Sequence, residues 1–356
     1  MKALRLYAGP SARAHLAAHG LVPEHVRTVP GAAGGPKGLI LGPLDRFLFG
    51  QWLPRANQPI DLVGASIGAW RLANACLDDP VAALAQFEEG YVNQHFEAPP
   101  GQKRMPAAQV SAQFGAELRR FYAGRTAEIL HHPRYRLHIV TAHGRHLLRR
   151  DGRWRTPAGY LGAFAANSFK RRALGNWIER VVFSRPQSPL PFHTRDLRTQ
   201  QVDLVEANFA AALQASCSIP FMLQAVHDIA GAPPGAYWDG GITDYHLHLD
   251  YSNADGVVLY PHFQQAVVPG WLDKALKWRH RSSAFLGRMI VIAPDPAWVR
   301  TLPNGKLPDR NDFLRYGNDV RARSAIWSRA ARESQRLADE FAAWLARPDL
   351  SVVRAL

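Results

Sequence analysis

From Pro59 to Leu77 the chain reads PIDLVGASIGAWRLANACL: a short apolar run, then Gly64-Ala65-Ser66-Ile67-Gly68, then an alanine-rich stretch. A run that is apolar at nearly every position reads as a strand covered on both faces. The stretch 69–77 reads as a helix, with Pro80 beyond its end. A serine between glycines at that junction lies on a tight bend that only small neighbours tolerate. The bend pushes the hydroxyl out of the sheet edge, and the helix N-terminus points its N–H groups at whatever reacts there. Ser66 is therefore a candidate nucleophile, with Gly64 and Gly68 shaping the elbow. The plainer alternative is a βα turn in which Ser66 is only an N-cap.

The same alternation of strand and helix runs through the chain. HVRTVP (25–30) predicts a buried strand that enters a glycine-rich loop, and 39–49 predicts a helix ended by Gly50. Residues 111–123 predict an amphipathic helix and RYRLHIVT (134–141) a strand. Residues 163–183 are expected to be helical in part, and 203–216 helical up to a break at Pro220. GVVLY (256–260) and MIVIA (289–293) predict buried strands, and 318–345 one long amphipathic helix or two. Such alternation argues for an α/β fold with a mostly parallel sheet covered on both faces. No linker forces a division, so 1–356 is expected to be a single domain, with a helical C-terminal extension from about 262.

Two further motifs carry chemistry. In Gly31-Ala32-Ala33-Gly34-Gly35-Pro36-Lys37-Gly38 the glycines leave backbone N–H groups unscreened, so several donors can face one anionic oxygen. In acyl transfer that oxygen is the tetrahedral oxyanion. A phosphate cradle is the competitor, but G-x-x-x-x-G-K-[ST] fails because Gly38 follows Lys37. Trp238-Asp239-Gly240-Gly241 holds a carboxylate beside two permissive glycines. A carboxylate needs partial desolvation to take a serine proton, and Tyr237 and Trp238 are the neighbours expected to supply it. Taken alone, Asp-Gly is also a common hairpin turn.

In this order the motifs resemble the patatin-like phospholipases. That family combines a glycine-rich oxyanion loop followed by a basic residue and glycine, a G-x-S-x-G elbow and a D-G-[GA] motif. Here they stand as Gly34-Gly35-Pro36-Lys37-Gly38, Gly64–Gly68 and Asp239-Gly240-Gly241, and the run 212–220 (ALQASCSIP) is similar to the family's A-x-x-A-S-x-x-x-P segment. The resemblance spans roughly residues 25–260. It implies a three-layer α/β/α sandwich, Ser66 as nucleophile, Asp239 as its base, and oxyanion donors from Gly34, Gly35, Pro36, Lys37 and Gly38. It implies a lipid acyl ester as substrate and no cofactor. Ala33 departs from the family by standing where its loop has a first glycine, and 103–200 matches no family motif.

A Ser–His–Asp triad must be weighed beside that pair. His246 and His248 follow Asp239 in the chain order used by α/β-hydrolases, but the short spacing puts them in the same turn and strand, so structural histidines are expected. His131, His132, His143 and His146 lack a ligand spacing, and no metal is expected.

Charge is distributed unevenly. Of the net +14, residues 103–200 contribute 19 Lys and Arg against 5 Asp and Glu, while the flanking parts balance at 8 against 8 and 16 against 16. A block of that kind usually meets anions, and its aromatic company (Phe121, Tyr122, Trp154, Tyr160, Phe164, Phe169, Trp177, Phe183 and Phe192) suits a lipid interface or single-stranded nucleic acid. No nucleic-acid-binding signature is present, which favours peripheral contact with an anionic membrane; an arginine-heavy solvated face is the plain alternative. Residues 269–288, with Trp271 and Trp278, predict a second basic amphipathic stretch. The rival functional class is a catalytically silent scaffold that binds anionic lipid or nucleic acid through 103–200. Two cysteines, Cys76 and Cys217, are too few for a disulfide framework, and the N-terminal twenty residues lack an apolar signal-peptide core, so a cytoplasmic home is expected.

Overall fold

A computed structural model describes residues 1–96 and 105–356. The strands are β1 (Leu4–Ala8), β2 (Val26–Gly31), β3 (Ile60–Ala65), β4 (Tyr135–Gly144), β5 (Ile178–Ser184), β6 (Thr199–Asp203), β7 (Val226–His227), β8 (Ala236–Asp239), β9 (Val257–Pro261), β10 (Met289–Pro294) and β11 (Val353–Ala355). They form one sheet in the order β11-β1-β10-β9-β2-β3-β4-β5-β6, with β8 paired to β4 and β7 to β8. The centre, β10-β9-β2-β3-β4, is parallel throughout. Every residue of β3, β9 and β10 is buried, as continuous apolar runs between two helical layers require. The outer strands mix directions: β1 runs antiparallel to β10, and β4 pairs antiparallel with both β5 and β8.

This register places the chemistry. Gly31 at the end of β2 lies opposite Gly64 near the end of β3, so the glycine loop and the serine turn leave the sheet side by side. Thr141 of β4 lies opposite Asp239 at the end of β8. The glycine loop and the serine turn thus leave the C-terminal ends of parallel strands, where open α/β sheets build their sites, and antiparallel β8 brings Asp239 beside them.

Several elements differ from the sequence expectation. Gly50 does not end its helix: the helix Gly42–Phe47 continues through a π-turn, Leu48–Trp52, and a 3₁₀ turn, Leu53–Arg55. A Cβ on Gly50 would stand 2.3 Å from Val81, so the glycine serves close packing instead. Val81 belongs to an unexpected helix, Pro80–Asn93, whose N-cap Asp79 accepts the Ala82 N–H. Pro80 starts that helix as its first residue, a position proline favours, besides following the previous one. Within 163–183 the helical part is the end of the helix Arg155–Phe169 and a 3₁₀ turn, Arg171–Asn176, and Phe183 lies in β5. The expected amphipathic helix at 269–288 is three short 3₁₀ turns. The C-terminal stretch is not simply helical, because it gives β10 and β11 to the sheet; within it 318–345 forms two helices, Val320–Glu333 and Gln335–Ala346, that meet at Ser334. Lys103 and Arg104, the first residues of the basic block, lie outside the described residues.

Candidate active site

Ser66 takes φ 56° and ψ −133°, a conformation that L-residues rarely adopt. The surroundings hold it there. Its N–H donates to Ser216 Oγ at 2.9 Å, and that hydroxyl donates in turn to the Val140 carbonyl at 2.7 Å. The flanking glycines allow the bend because neither has room for a side chain. A Cβ on Gly64 would lie 2.3 Å from Ala69 Cα, and one on Gly68 only 1.9 Å from the Gly31 carbonyl oxygen. The helix Ile67–Ala75 then begins directly on the serine, whose carbonyl accepts the Ala69 and Trp70 N–H groups at 2.9 and 3.3 Å. Arg71 of this helix forms a buried bidentate pair with Asp45, both bonds 2.7 Å, which locks it to the helix that follows the glycine loop.

Asp239 closes β8 and is fixed by the turn that carries Ser216. Its N–H donates to the Ser218 carbonyl at 2.9 Å, and the Gly240 N–H to the Ser216 carbonyl at 3.2 Å. One carboxylate oxygen, Oδ1, accepts the Gly241 N–H at 2.8 Å. The other, Oδ2, accepts the Ser66 hydroxyl at 2.7 Å, across 173 positions of sequence. Both side chains are buried. Burial pushes the Asp239 carboxyl above its usual range; the Ser66 hydrogen bond, the Arg310 charge and the Gly241 N–H oppose that rise. Tyr237 packs on His143, and Trp238 belongs to a separate cluster with Tyr160. The groups that feel the Asp239 charge are Tyr91, Tyr160, Cys217 and Tyr245, each held up chiefly by its own burial.

The glycine loop completes the arrangement. Gly34 is extended, Gly35 takes φ 57°, and a 3₁₀ turn runs from Gly35 to Leu41. The first N–H groups of such a turn have no acceptor within it. Pro36 has no N–H, so it leaves the set of oxyanion donors that the resemblance implied. Ala33 is committed elsewhere, donating its N–H to the Tyr245 carbonyl at 3.0 Å. Its methyl lies 2.6 Å from where a Cβ on Gly241 would be, so the glycine loop and the aspartate loop are in contact.

The family model for patatin-like phospholipase matches residues 33–246, more than half of the chain. The chain belongs to that family. The match opens at the glycine loop and closes just beyond Asp239-Gly240-Gly241, taking in the elbow and the Ser216 turn. Comparison with curated proteins finds no significant match. Patatin-like phospholipases are lipid acyl hydrolases, and the α/β sheet flanked by helices found here fits that assignment.

His246 and His248 lie apart from the pair. His246 Nδ1 sits 3.1 Å from the Ala266 carbonyl; His248 spans the Val267 carbonyl at 2.8 Å and Ser283 Oγ at 2.7 Å. Both Asp239 oxygens have other partners, and burial lowers the pKa of both histidines. His143 bonds Glu179 at 2.8 Å inside the sheet.

Much of the basic block turns inward. Arg180 of β5, fully buried, holds Asp244 through 2.7 and 2.6 Å bonds and Asp196 through 3.1 and 2.8 Å bonds. Asp244 ends the short helix Gly241–Asp244, so this arginine anchors the loop that carries Asp239. Arg171 bonds Asp273, and Arg136 bonds Asp61. Several acidic partners of the block, Asp244, Asp273 and Asp61, therefore come from outside it, and the sequence imbalance is larger than the imbalance in space. Ser216, Arg180 and Asp244 went unread as site residues because neither their spacing nor their neighbours in sequence mark them. Ser216 appeared only inside the family-like segment, with no role attached.

Proposed function

We propose that the protein cleaves acyl esters of lipids with Ser66 as nucleophile and Asp239 as its base. The carboxylate takes the hydroxyl proton as Ser66 Oγ bonds to the ester carbonyl carbon. The oxyanion that forms accepts the N–H groups of Gly34 and Gly35, each worth on the order of 3 kcal/mol in the transition state, because those of Lys37 and Gly38 are used inside the 3₁₀ turn. Collapse expels the alcohol, which leaves with the proton held by Asp239. Water then gives a proton to Asp239 and attacks the acyl-enzyme; the fatty acid departs and Ser66 regains its hydrogen. The observation that carries this reading is the 2.7 Å bond between the two buried side chains. The raised Asp239 pKa supports it, since it makes the carboxylate a better base.

The chain is read as one functional unit, because residues before and after the family match share the sheet with it. We also place it at the cytoplasmic face of an anionic membrane. The helix Arg155–Phe169 exposes Leu161 and Phe164, Trp154 and Phe169 project at its ends, and Arg153, Arg155, Lys170 and Arg172 flank them in exposed positions. Among the described residues no helix is long and apolar enough to cross a membrane, and both cysteines are buried and unpaired. The test is a lipid panel incubated with wild type and Ser66→Ala, products read by mass spectrometry. Fatty acid released by wild type alone is expected. Equal release by both proteins, or a wild type that a fluorophosphonate fails to label, would overturn the reading and favour a scaffold.

A further inference from the structure

Three cations crowd the glycine loop without a carboxylate partner. Arg310 places Nε 3.2 Å from where a Cβ on Gly35 would stand, next to the Tyr91 hydroxyl at 3.6 Å from the same point. The Lys37 amine lies 5.4 Å from the centre of the Phe263 ring, whose edge would be 2.6 Å from a Cβ on Gly34. The Lys274 amine lies 5.2 Å from the centre of the Tyr245 ring, which approaches Gly241 and whose carbonyl holds Ala33. Lys37 thus belongs to the glycine loop, Arg310 approaches it at Gly35, and Lys274 meets Tyr245 beside the aspartate loop.

Their neighbours do not neutralise them. Among the described residues no ion pair includes Lys37, Lys274 or Arg310. Asp309 is bonded to Lys306 at 2.7 Å, and Asp273 is bonded to Arg171 at 2.9 Å and Arg279 at 2.8 Å. Burial lowers the pKa of both Lys37 and Lys274; on Lys37 the Asp309 charge opposes the fall more than the Arg310 charge adds to it, while on Lys274 Lys37 and Arg310 both add to it. Arg71 and Arg180, by contrast, are buried and paired, with Asp45 and Asp244. Three like charges whose nearest counter-charge, Asp309, is already bonded to Lys306 are unfavourable together unless an anion joins them.

We propose that Lys37, Lys274 and Arg310 form an anion subsite beside the ester site that selects acyl esters bearing a phosphate monoester. This rests on the hydrolase reading above and narrows its substrate. A phosphate monoester carries close to two negative charges near neutral pH and offers three acceptor oxygens. Arginine takes two of those in a fork, and lysines meet the third as point charges. A phosphocholine diester carries one phosphate charge beside its own cation, and an acylglycerol carries none. Lys274 and Arg310 lie outside residues 33–246, so the family match alone did not point to them.

The test uses the Ser66→Ala protein, so that binding is read without turnover. Isothermal titration compares 1-hexanoyl-glycerol 3-phosphate with 1-hexanoyl-glycero-3-phosphocholine, 1-hexanoylglycerol and inorganic phosphate. The phosphate monoester is expected to bind at least about tenfold more tightly than any of the others. Adding Arg310→Gln or Lys274→Gln should each weaken it about tenfold and bring its affinity towards that of the neutral ester. Lys274 is exposed, so its substitution leaves the fold intact and keeps the test valid should Arg310→Gln unfold. Equal affinity for the three esters, or an unchanged preference in both variants, overturns the subsite. Inorganic phosphate binding as tightly as the ester overturns its assignment to substrate. Hydrolysis by wild type is scored separately: cleavage of all three esters at equal rates leaves the preceding reading standing and removes this one.

Discussion

The serine elbow and the basic block make opposite use of their residues. At the elbow every side chain answers a local demand. Gly68 leaves room for the Gly31 carbonyl, Ser216 holds the Ser66 N–H, and Asp239 holds the Ser66 hydroxyl. In the block, charge that looks unbalanced along the sequence finds distant partners, as Arg180 does with Asp244 and Arg136 with Asp61. A steric requirement is written next to the residue that must meet it. The partner of a charge can come from anywhere in the chain.

The largest effect separating the two regions is expected at Asp239. Asp239→Asn should lower kcat for ester hydrolysis on the order of a thousandfold. It should leave the melting temperature unchanged or raised, because it removes a buried charge whose pKa burial has pushed up. In wild type the rate should fall as pH drops through that raised pKa, giving an inflection above the usual carboxylate value of about 4. Arg310→Gln removes a charge that opposes the rise and should move the inflection higher. An inflection at or below the ordinary value would mean that another group sets the profile.

Next in size is the buried end of the basic block. Arg180→Met strands Asp244 and Asp196, and urea unfolding should show a loss of about 3–5 kcal/mol. A smaller loss would mean that water reaches the pair and that the block is less structural than its contacts imply. Ser216→Ala leaves the Ser66 N–H and the Val140 carbonyl without their partner. It should cost about 1–3 kcal/mol and also lower kcat, since the strained serine loses its clamp. If stability falls while kcat holds, the clamp serves folding alone. The smallest effect belongs to Arg150→Ala, which breaks an exposed pair with Asp228. The melting temperature should not move measurably.

Legibility follows the same division. The apolar run 59–63 and the glycines after it were enough to place a buried strand, a turn and a helix, because each imposes a local geometry. Asp239 was legible only beside the other motifs, since Asp-Gly on its own marks any hairpin. The Pro80–Asn93 helix was missed because a proline that starts one helix reads equally well as the end of another. The stretch 269–288 misled because apolar and basic residues at roughly helical spacing also suit a string of 3₁₀ turns pinned by Asp273. Arg310 was invisible because it comes to Gly35 from a loop nearly the whole chain away.

The placement of β1 has a consequence for biosynthesis. This strand is made before the others of the sheet, yet it lies between β10 and β11, with Arg5 bonded to Asp295 across 290 positions. At ordinary translation rates its partners leave the ribosome on the order of half a minute later. Until then an apolar edge with open N–H and C=O groups waits in the cell, available to chaperones or to the same segment of a neighbouring nascent chain.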